Sequence, residues 1–187
     1  MSSNKFRQAD RIYDELLVIR CRAGEAKAFE LLVARWQPRL LRVALVICRD
    51  RQLAEDLVQD SWITAVRKLG TLRDPASFGF WLIRIVNNRC MDALKSRNTE
   101  PQAPPAAEPA HMPGEVENGE AITEVLKLLD TRHRAVLALH YLQDLEVNEI
   151  AMVLDIPPGT VKSRLHHARE AFRKKFTELT AYVSREA

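Results

Sequence analysis

Apolar residues recur at three- and four-residue spacing along most of this chain, and alternation with a period of two is nearly absent. Spacing of this kind places apolar side chains on one face of an α-helix. The few glycines and prolines outside one short segment fall mostly at the ends of the periodic stretches, where helices start and stop. The pattern therefore predicts an all-α fold.

The first half of the chain contains four predicted helices, over residues 10–22, 26–48, 52–69 and 75–97. Pro38 lies inside the second of these, and we expect it to kink that helix or to split it at Gln37. The fourth helix has a clear start at Asp74 and Pro75, an Asx cap followed by proline at the first helical position. Its apolar stripe is Phe78, Leu82, Val86, Cys90 and Ala93.

A segment of different composition divides the chain. Residues 98–120 hold five of the nine prolines, five glutamates and scarcely any large apolar residue. Proline favours extended geometry, and unpaired carboxylates keep such a segment solvated. We therefore predict two small helical domains, residues 1–97 and 119–187, joined by a flexible, proline-rich acidic linker over 98–118. The second domain contains predicted helices at 119–129, 132–142, 147–154 and 158–177.

The last two predicted helices form a helix-turn-helix pattern, with a tight break at residues 155–157. The second of them has a buried stripe of Val161, Leu165, Ala168, Phe172 and Phe176. Residues 158–175 carry six Lys or Arg against one Glu, so this helix is apolar on one side and basic on the other. Such a helix fits a DNA major groove; the alternative is a solvated helix packed on a three-helix bundle. His166 and His167 are adjacent and point in different directions, which disfavours a metal site.

Composition excludes several classes of protein. The three cysteines, Cys21, Cys48 and Cys90, are far apart and form no paired motif, which favours a reducing cytoplasm. No apolar run approaches the ~20 residues of a membrane span, so we expect no membrane insertion. The sequence has no glycine-rich phosphate loop, no Cys/His cluster and no nucleophile with a recognisable helper. We therefore predict a cytoplasmic protein that is not an enzyme and uses no cofactor or metal.

Three segments of the chain, residues 54–62, 80–88 and 156–169, carry motifs that occur together in one family. They resemble the extracytoplasmic-function (ECF) sigma factors of the sigma-70 family. Residues 156–169, IPPGTVKSRLHHAR, resemble the last recognition helix of these proteins. Residues 54–62, AEDLVQDSW, resemble their core-polymerase-binding helix. Residues 80–88, FWLIRIVNN, together with Asp92, resemble their promoter-melting segment. The motifs occur in the family's order on either side of the linker.

The resemblance implies that residues 1–97 are a region 2-like domain and residues 119–187 a region 4-like domain. It also implies three partners: RNA polymerase core enzyme, promoter DNA and an anti-sigma factor. The implied core-binding residues are Asp56, Gln59 and Asp60. The implied minus-ten DNA-binding residues are Arg73, Ser77, Phe80, Trp81, Arg84, Asn87, Asn88 and Arg89. The implied minus-thirty-five DNA-binding residues are Thr160, Lys162, Ser163, Arg164, His166, His167 and Arg169.

Some of these residues have a second interpretation. Asp56 also favours the dipole of its own helix, and Trp81 is a candidate core residue. The chain departs from the family at Glu146, where a serine commonly caps the first helix of the helix-turn-helix, and we expect a weaker cap. It also departs at His167, where arginine is frequent; a neutral imidazole cannot make arginine's bidentate contact with guanine.

Two other functions stay open at this level. A helix-turn-helix regulator would bind operators without polymerase and would not need the acidic helix over 54–68. A helical interaction protein that mimics a sigma factor would be expected to lack the basic face over 162–175, which is present.

Overall fold

The computed structural model describes residues 2–99 and 119–186, with side chains over 8–97 and 121–180, and every regular element in these ranges is helical. The all-α prediction is confirmed. Most of the predicted linker, with its expected flexibility, lies outside the described residues. The α-helices are α1 (Ser2–Arg22), α2 (Ala26–Cys48), α3 (Arg51–Lys68), α4 (Phe78–Thr99), α5 (Gly119–Lys127), α6 (Thr131–Leu137), α7 (Val147–Leu154) and α8 (Pro158–Glu186). Short 3₁₀ turns cover Leu69–Thr71 and Pro75–Ser77, and a π-helical turn covers Ala138–Leu142.

Helix α2 runs without a break through Pro38, so the predicted split at Gln37 is wrong. An interior proline costs a helix ~3 kcal/mol through one lost hydrogen bond and a steric clash. Trp36 and Leu40, on either side of Pro38, are both buried, and α2 packs against α1, α3 and α4. Burial of a whole face along this helix offsets the local cost of the proline.

The N-terminal unit has its core between α2 and α4. The predicted α4 stripe is confirmed from Phe78 to Cys90, because its members are at most 1% exposed. The Trp36 ring meets Phe78 edge to face, with centroids 6.1 Å apart. A Cβ atom on Gly79 would lie 2.5 Å from Cη2 of Trp36, so only glycine allows this close approach of α4 to α2.

The start of α4 is held by local capping. The carboxylate of Asp74 accepts a hydrogen bond from the Ala76 N–H at 3.1 Å. The predicted start at Asp74 and Pro75 is correct in place, although the first turn is 3₁₀ and α-helix begins at Phe78. The guanidinium of Arg22 donates to the carbonyl oxygens of Leu69 and Leu72, which ties the connection between α3 and α4 to α1.

The C-terminal unit contains the predicted helix-turn-helix. Helix α7 ends at Leu154, the following Asp155 has a left-handed φ of 57°, and α8 begins at Pro158. Val161, Leu165 and Ala168 of α8 are buried as the apolar stripe predicts. The start of α7 is closed by Glu149, whose carboxylate accepts from the Glu146 N–H at 2.8 Å. This reciprocal bond compensates for the absence of a serine cap.

The two units pack on each other, which the sequence left open. Helix α4 packs against α7, and α2 packs against α6 and the π-helical turn. Arg134 of α6 is 5% exposed, and its Nη2 and Nε donate to the Ile47 carbonyl of α2 at 2.8 and 3.2 Å. Burial, and after it the charge of Arg49, lowers the pKa of Arg134 to about 10. A guanidinium of one unit therefore caps the C-terminus of a helix in the other.

Candidate nucleic-acid and protein interfaces

The predicted core-binding residues lie together on the solvent side of α3. Asp50 caps this helix by accepting from the Leu53 N–H at 3.0 Å, and the opposite side buries Val58 and Trp62. The Trp62 Nε1–H donates to Gln37 Oε1 at 2.6 Å, which fixes the rotation of α3 on α2. Asp56, Gln59 and Asp60 consequently share an exposed face. The face presents side-chain oxygen acceptors that a basic partner could reach.

One residue of this acidic face is already paired. Arg89 of α4 contacts Asp60 Oδ2 at 3.2 Å, and its other terminal nitrogen donates to Thr64 Oγ1 at 2.6 Å. The structure thus brings together two residues that the sequence assigned to different partners. Among the residues with described side chains, Asp56 accepts only a neutral amide bond, from Gln52 Nε2 at 3.1 Å.

The predicted minus-ten residues divide by exposure. Arg73 and Asn88 are exposed, and Ser77, Phe80 and Trp81 are half-buried. Asn87 is buried at 3% exposure, and its Oδ1 has no hydrogen-bond partner among the described residues.

Both aromatic residues of this segment have intramolecular contacts. The Arg11 guanidinium lies over the Phe80 ring, 4.7 Å from the centroid. The Trp81 ring packs on buried Phe78 with centroids 6.0 Å apart. Trp81 therefore contributes to the edge of the core while part of it stays accessible.

Arg84 lies at the junction of the two units. Its Nη2 contacts Asp155 Oδ2 at 3.0 Å, and its Nη1 donates to the Met152 carbonyl at 3.3 Å. A residue predicted to bind minus-ten DNA is thus paired with the turn of the helix-turn-helix.

The basic side of α8 consists of two faces, one on each flank of its buried stripe. The cleft face, defined as Thr160, Ser163, Arg164 and His167, looks toward α4 and α6. The outer face, defined as Lys162, His166 and Arg169, is exposed. The sequence assigned the residues of both faces to minus-thirty-five DNA, and the structure shows that the two faces point in different directions.

The two faces also differ in their local partners. On the outer face, Arg169 Nε donates to the Tyr141 hydroxyl at 3.0 Å, and His166 Nε2 lies 3.4 Å from Glu170 Oε2. On the cleft face, the Ser163 hydroxyl donates to the Thr160 carbonyl at 3.1 Å. Burial, and after it the charge of Arg132, lowers the pKa of Arg164.

Sequence reasoning missed two residues that shape these surfaces. Arg134 joins the units, and its only signal in the sequence is a charge directly before the apolar residues 135–139. Gly79 lies beside Phe80 and Trp81, but nothing in the local sequence indicates that the Trp36 ring packs against it.

The described residues contain neither a metal-binding cluster nor a membrane-spanning helix. No three His, Cys, Asp or Glu side chains there are grouped so that they could hold a metal ion. No helix over residues 2–99 or 119–186 is both long and apolar enough to span a bilayer.

Comparisons with known proteins agree with both units. Sigma-70 region 2 matches residues 32–100, and Sigma-70 region 4 matches residues 119–172. The chain is 32% identical to the RNA polymerase sigma-H factor of Pseudomonas aeruginosa, with 89% of this chain and 95% of that protein covered. It is 31% identical to the ECF RNA polymerase sigma-E factor of Escherichia coli, over 91% of this chain and 98% of that protein.

Two solved structures share the fold. CnrH, in complex with the cytosolic domain of CnrY, superposes with a TM-score of 0.65 at 24% identity, over 94% of this chain and 99% of that one. RpoE of Bartonella quintana, in complex with the anti-sigma factor NepR, superposes with a TM-score of 0.69 at 22% identity, over 81% of this chain and 98% of that one. The family matches and the near full-length relatives show that this chain belongs to the ECF group of sigma-70 family RNA polymerase sigma factors.

Proposed function

We propose that this chain binds core RNA polymerase and directs it to promoters through their minus-ten and minus-thirty-five elements. The observation that carries the proposal is the presence, in one chain, of an exposed acidic face on α3 and an exposed basic helix at the end of a helix-turn-helix. A regulator that acts without polymerase needs only the second of these. Both relatives named above are RNA polymerase sigma factors, and this chain matches nearly the whole length of each.

Asp56 and Gln59 are the best candidates for the contact with core polymerase. Both are exposed, and no cation within the described parts of the chain pairs with Asp56, so a polymerase residue would have none of these to displace. Asp60 belongs to the same face, but a partner must compete with Arg89 for its carboxylate.

Arg73 and Asn88 are the minus-ten candidates that are most accessible in this arrangement. An amide can hydrogen-bond to base edges, and a guanidinium can hold phosphate. Phe80 offers an aromatic surface for stacking once the Arg11 side chain moves aside, and a stacked base is worth ~1 to 3 kcal/mol. Asn87 is assigned to positioning Asn88, because its Nδ2 lies 3.4 Å from the Asn88 Oδ1.

Helix α8 is the proposed reader of the minus-thirty-five element. Lys162 and His166 of the outer face lie at the start of the helix and are exposed. Thr160, Ser163, Arg164 and His167 line a cleft whose opposite wall is α4. A duplex seated fully on this face of α8 would displace α4 from α7. We therefore expect promoter binding to break the Arg84–Asp155 ion pair.

An anti-sigma factor is the proposed inhibitor of this activity. RpoE of Bartonella quintana, which has the same fold, was solved with the anti-sigma factor NepR bound. The identity of any such partner here would be found by affinity capture from the native organism.

The decisive test of core binding is a charge reversal on α3. Asp56→Arg should weaken retention of the chain by core polymerase in a pull-down, because a basic partner would then face a like charge. Glu30→Arg on α2 is the matched control, because Glu30 is equally exposed and lies outside the acidic face. Equal retention of both variants would leave an operator-binding regulator as the better function.

The test of minus-thirty-five recognition is His167→Arg. If His167 faces a base edge, the arginine fork should introduce a guanine preference at one position, worth ~1 to 3 kcal/mol. Selection from randomised minus-thirty-five sequences with both proteins measures this. Identical preferences would show that His167 does not read DNA.

A further inference from the structure

The cleft between the two units has a cavity of about 620 Å³. Three elements line it: the cleft face of α8, the start of α6 from Asp130 to His133, and α4 at Met91, Leu94 and Lys95. A volume of roughly 300 to 1,000 Å³ is usual for small-molecule sites. The cavity exists only in the packed arrangement, because α4 belongs to one unit and the other two walls belong to the second.

Most of the charged side chains that line the cavity are positive. Lys95, Arg132 and Arg164 approach from three different helices, and His133 and His167 add two imidazoles. Asp130 is the single carboxylate of the lining, and its oxygens are engaged by the His133 N–H at 2.8 Å and the His133 ring at 2.7 Å.

Arg132 and Arg164 form the centre of this charge. Neither guanidinium has an ion pair or a hydrogen bond within the described part of the chain. Arg164 is half-buried, and burial together with the positive charge of Arg132 lowers its pKa. Arg164, which is partly desolvated, and the exposed Arg132 beside it both gain from an anion that the two can hold together, and phosphate suits the planar donor fork of arginine.

We propose that this cleft binds a small phosphorylated molecule of the nucleotide class, with its phosphates between Arg132 and Arg164. The Thr160 hydroxyl lies on the same wall as Arg164 and supplies a further donor. Met91 and Leu94 on the opposite wall offer apolar contact to the part of the ligand that carries no charge.

A small molecule fits this site better than the backbone of duplex DNA. The walls of the cleft come from both units, so a compact ligand can contact α4, α6 and α8 at the same time. A ligand in the cleft would bind only the packed arrangement and would therefore stabilise it. Given the role proposed above for α8, such a ligand would compete with minus-thirty-five DNA.

The test is calorimetric titration of the full chain with ADP, inorganic pyrophosphate and adenosine. ADP and pyrophosphate should saturate one site, and adenosine should not bind. Arg132→Gln should weaken ADP binding about tenfold or more, because one charged hydrogen-bonding group is lost. Arg67→Gln is the matched control, since Arg67 is an exposed arginine of α3 outside the cleft, and it should bind ADP like the parent.

Absence of saturable binding by ADP and pyrophosphate would overturn the proposal, as would an Arg132→Gln variant that binds ADP unchanged. A second arm measures affinity for a minus-thirty-five duplex. If Arg132→Gln weakens duplex binding at every sequence while neither phosphate probe binds, the arginines serve the DNA backbone and the proposal is wrong. The titration uses neither core polymerase nor promoter, so its failure is distinct from a failure of the function proposed above.

Discussion

The two units differ in whether the candidate DNA-binding cations discussed here form ion pairs. In the N-terminal unit, Arg84 and Arg89 are held by Asp155 and Asp60. In the C-terminal unit, Lys162 and Arg164 have no ion pair within the described residues. Cationic side chains thus orient neighbouring helices in the N-terminal unit and stay available for phosphate in the C-terminal unit.

Carboxylate placement explains the difference. Asp60 of α3 and Asp155 of the turn after α7 both lie within reach of α4, whereas residues 158–175 of α8 contain one glutamate. Exposed ion pairs contribute little to stability, so the pairs of the N-terminal unit can be exchanged for partner contacts at small cost. The two units should therefore differ in how much the free energy of unfolding depends on their paired side chains.

Arg134 should matter more to stability than any exposed arginine. Arg134→Met removes the donors that satisfy the Ile47 and Leu129 carbonyls, and we expect a loss of about 3 kcal/mol in the free energy of unfolding. Urea denaturation measures it. Arg132→Met, on the same helix and exposed, should stay within about 0.5 kcal/mol of the parent. Equal effects of the two would mean that Arg134 does not join the units.

Gly79→Ala should destabilise the N-terminal unit by about 2 kcal/mol, because the new methyl group meets the buried Trp36 ring. An alanine normally stabilises a helix relative to glycine. Gly159→Ala in the C-terminal unit is the control, since no heavy atom lies within 4 Å of its added Cβ. Thermal unfolding of both variants gives the comparison, and a gain of stability at Gly79 would show that α4 and α2 are further apart.

The Arg84–Asp155 pair should contribute only about 0.2 to 1 kcal/mol, because both side chains are substantially exposed. A double-mutant cycle of Arg84→Gln and Asp155→Asn isolates this coupling, and asparagine tolerates the left-handed backbone at 155. We expect the coupling to fall as salt is added. A coupling above about 2 kcal/mol would contradict the idea that promoter DNA can displace Asp155 readily.

Acid should weaken the cap of α3, with the smallest effect of the four. The hydrogen bond from the Leu53 N–H, supported by the Arg97 ion pair, lowers the pKa of Asp50 below its ordinary value. A depressed carboxyl pKa stabilises the fold fully above the unfolded-state pKa, ~3.9, and that stability is lost as pH falls through the folded-state pKa. Unfolding measured between neutral pH and pH ~2 should depend less on pH in Asp50→Asn than in the parent. Parallel curves would assign the acid sensitivity to other carboxylates.

The local sequence was sufficient to predict the helices and the protein family. The apolar stripes predicted the buried faces of α4 from Phe78 to Cys90 and of α8 from Val161 to Ala168, whereas Ala93, Phe172 and Phe176 are only half-buried. Residues 155–157 marked the turn between α7 and α8. These features depend on neighbours a few positions apart, so they are present in the pattern itself. The three motifs that resemble ECF sigma factors were confirmed at the level of the family.

Only the tertiary structure decided which surfaces meet. Periodicity shows that a face is buried but not what covers it, so it could not reveal that α4 packs on α7 or that α2 continues through Pro38. The ion pair of Arg84 with Asp155 joins residues 71 positions apart, and the bond from Arg134 to the Ile47 carbonyl joins residues 87 apart. Contacts at such separation have no local signature, because either partner alone is an ordinary polar residue. Burial, charge pairing and the cleft between the units all depend on these contacts.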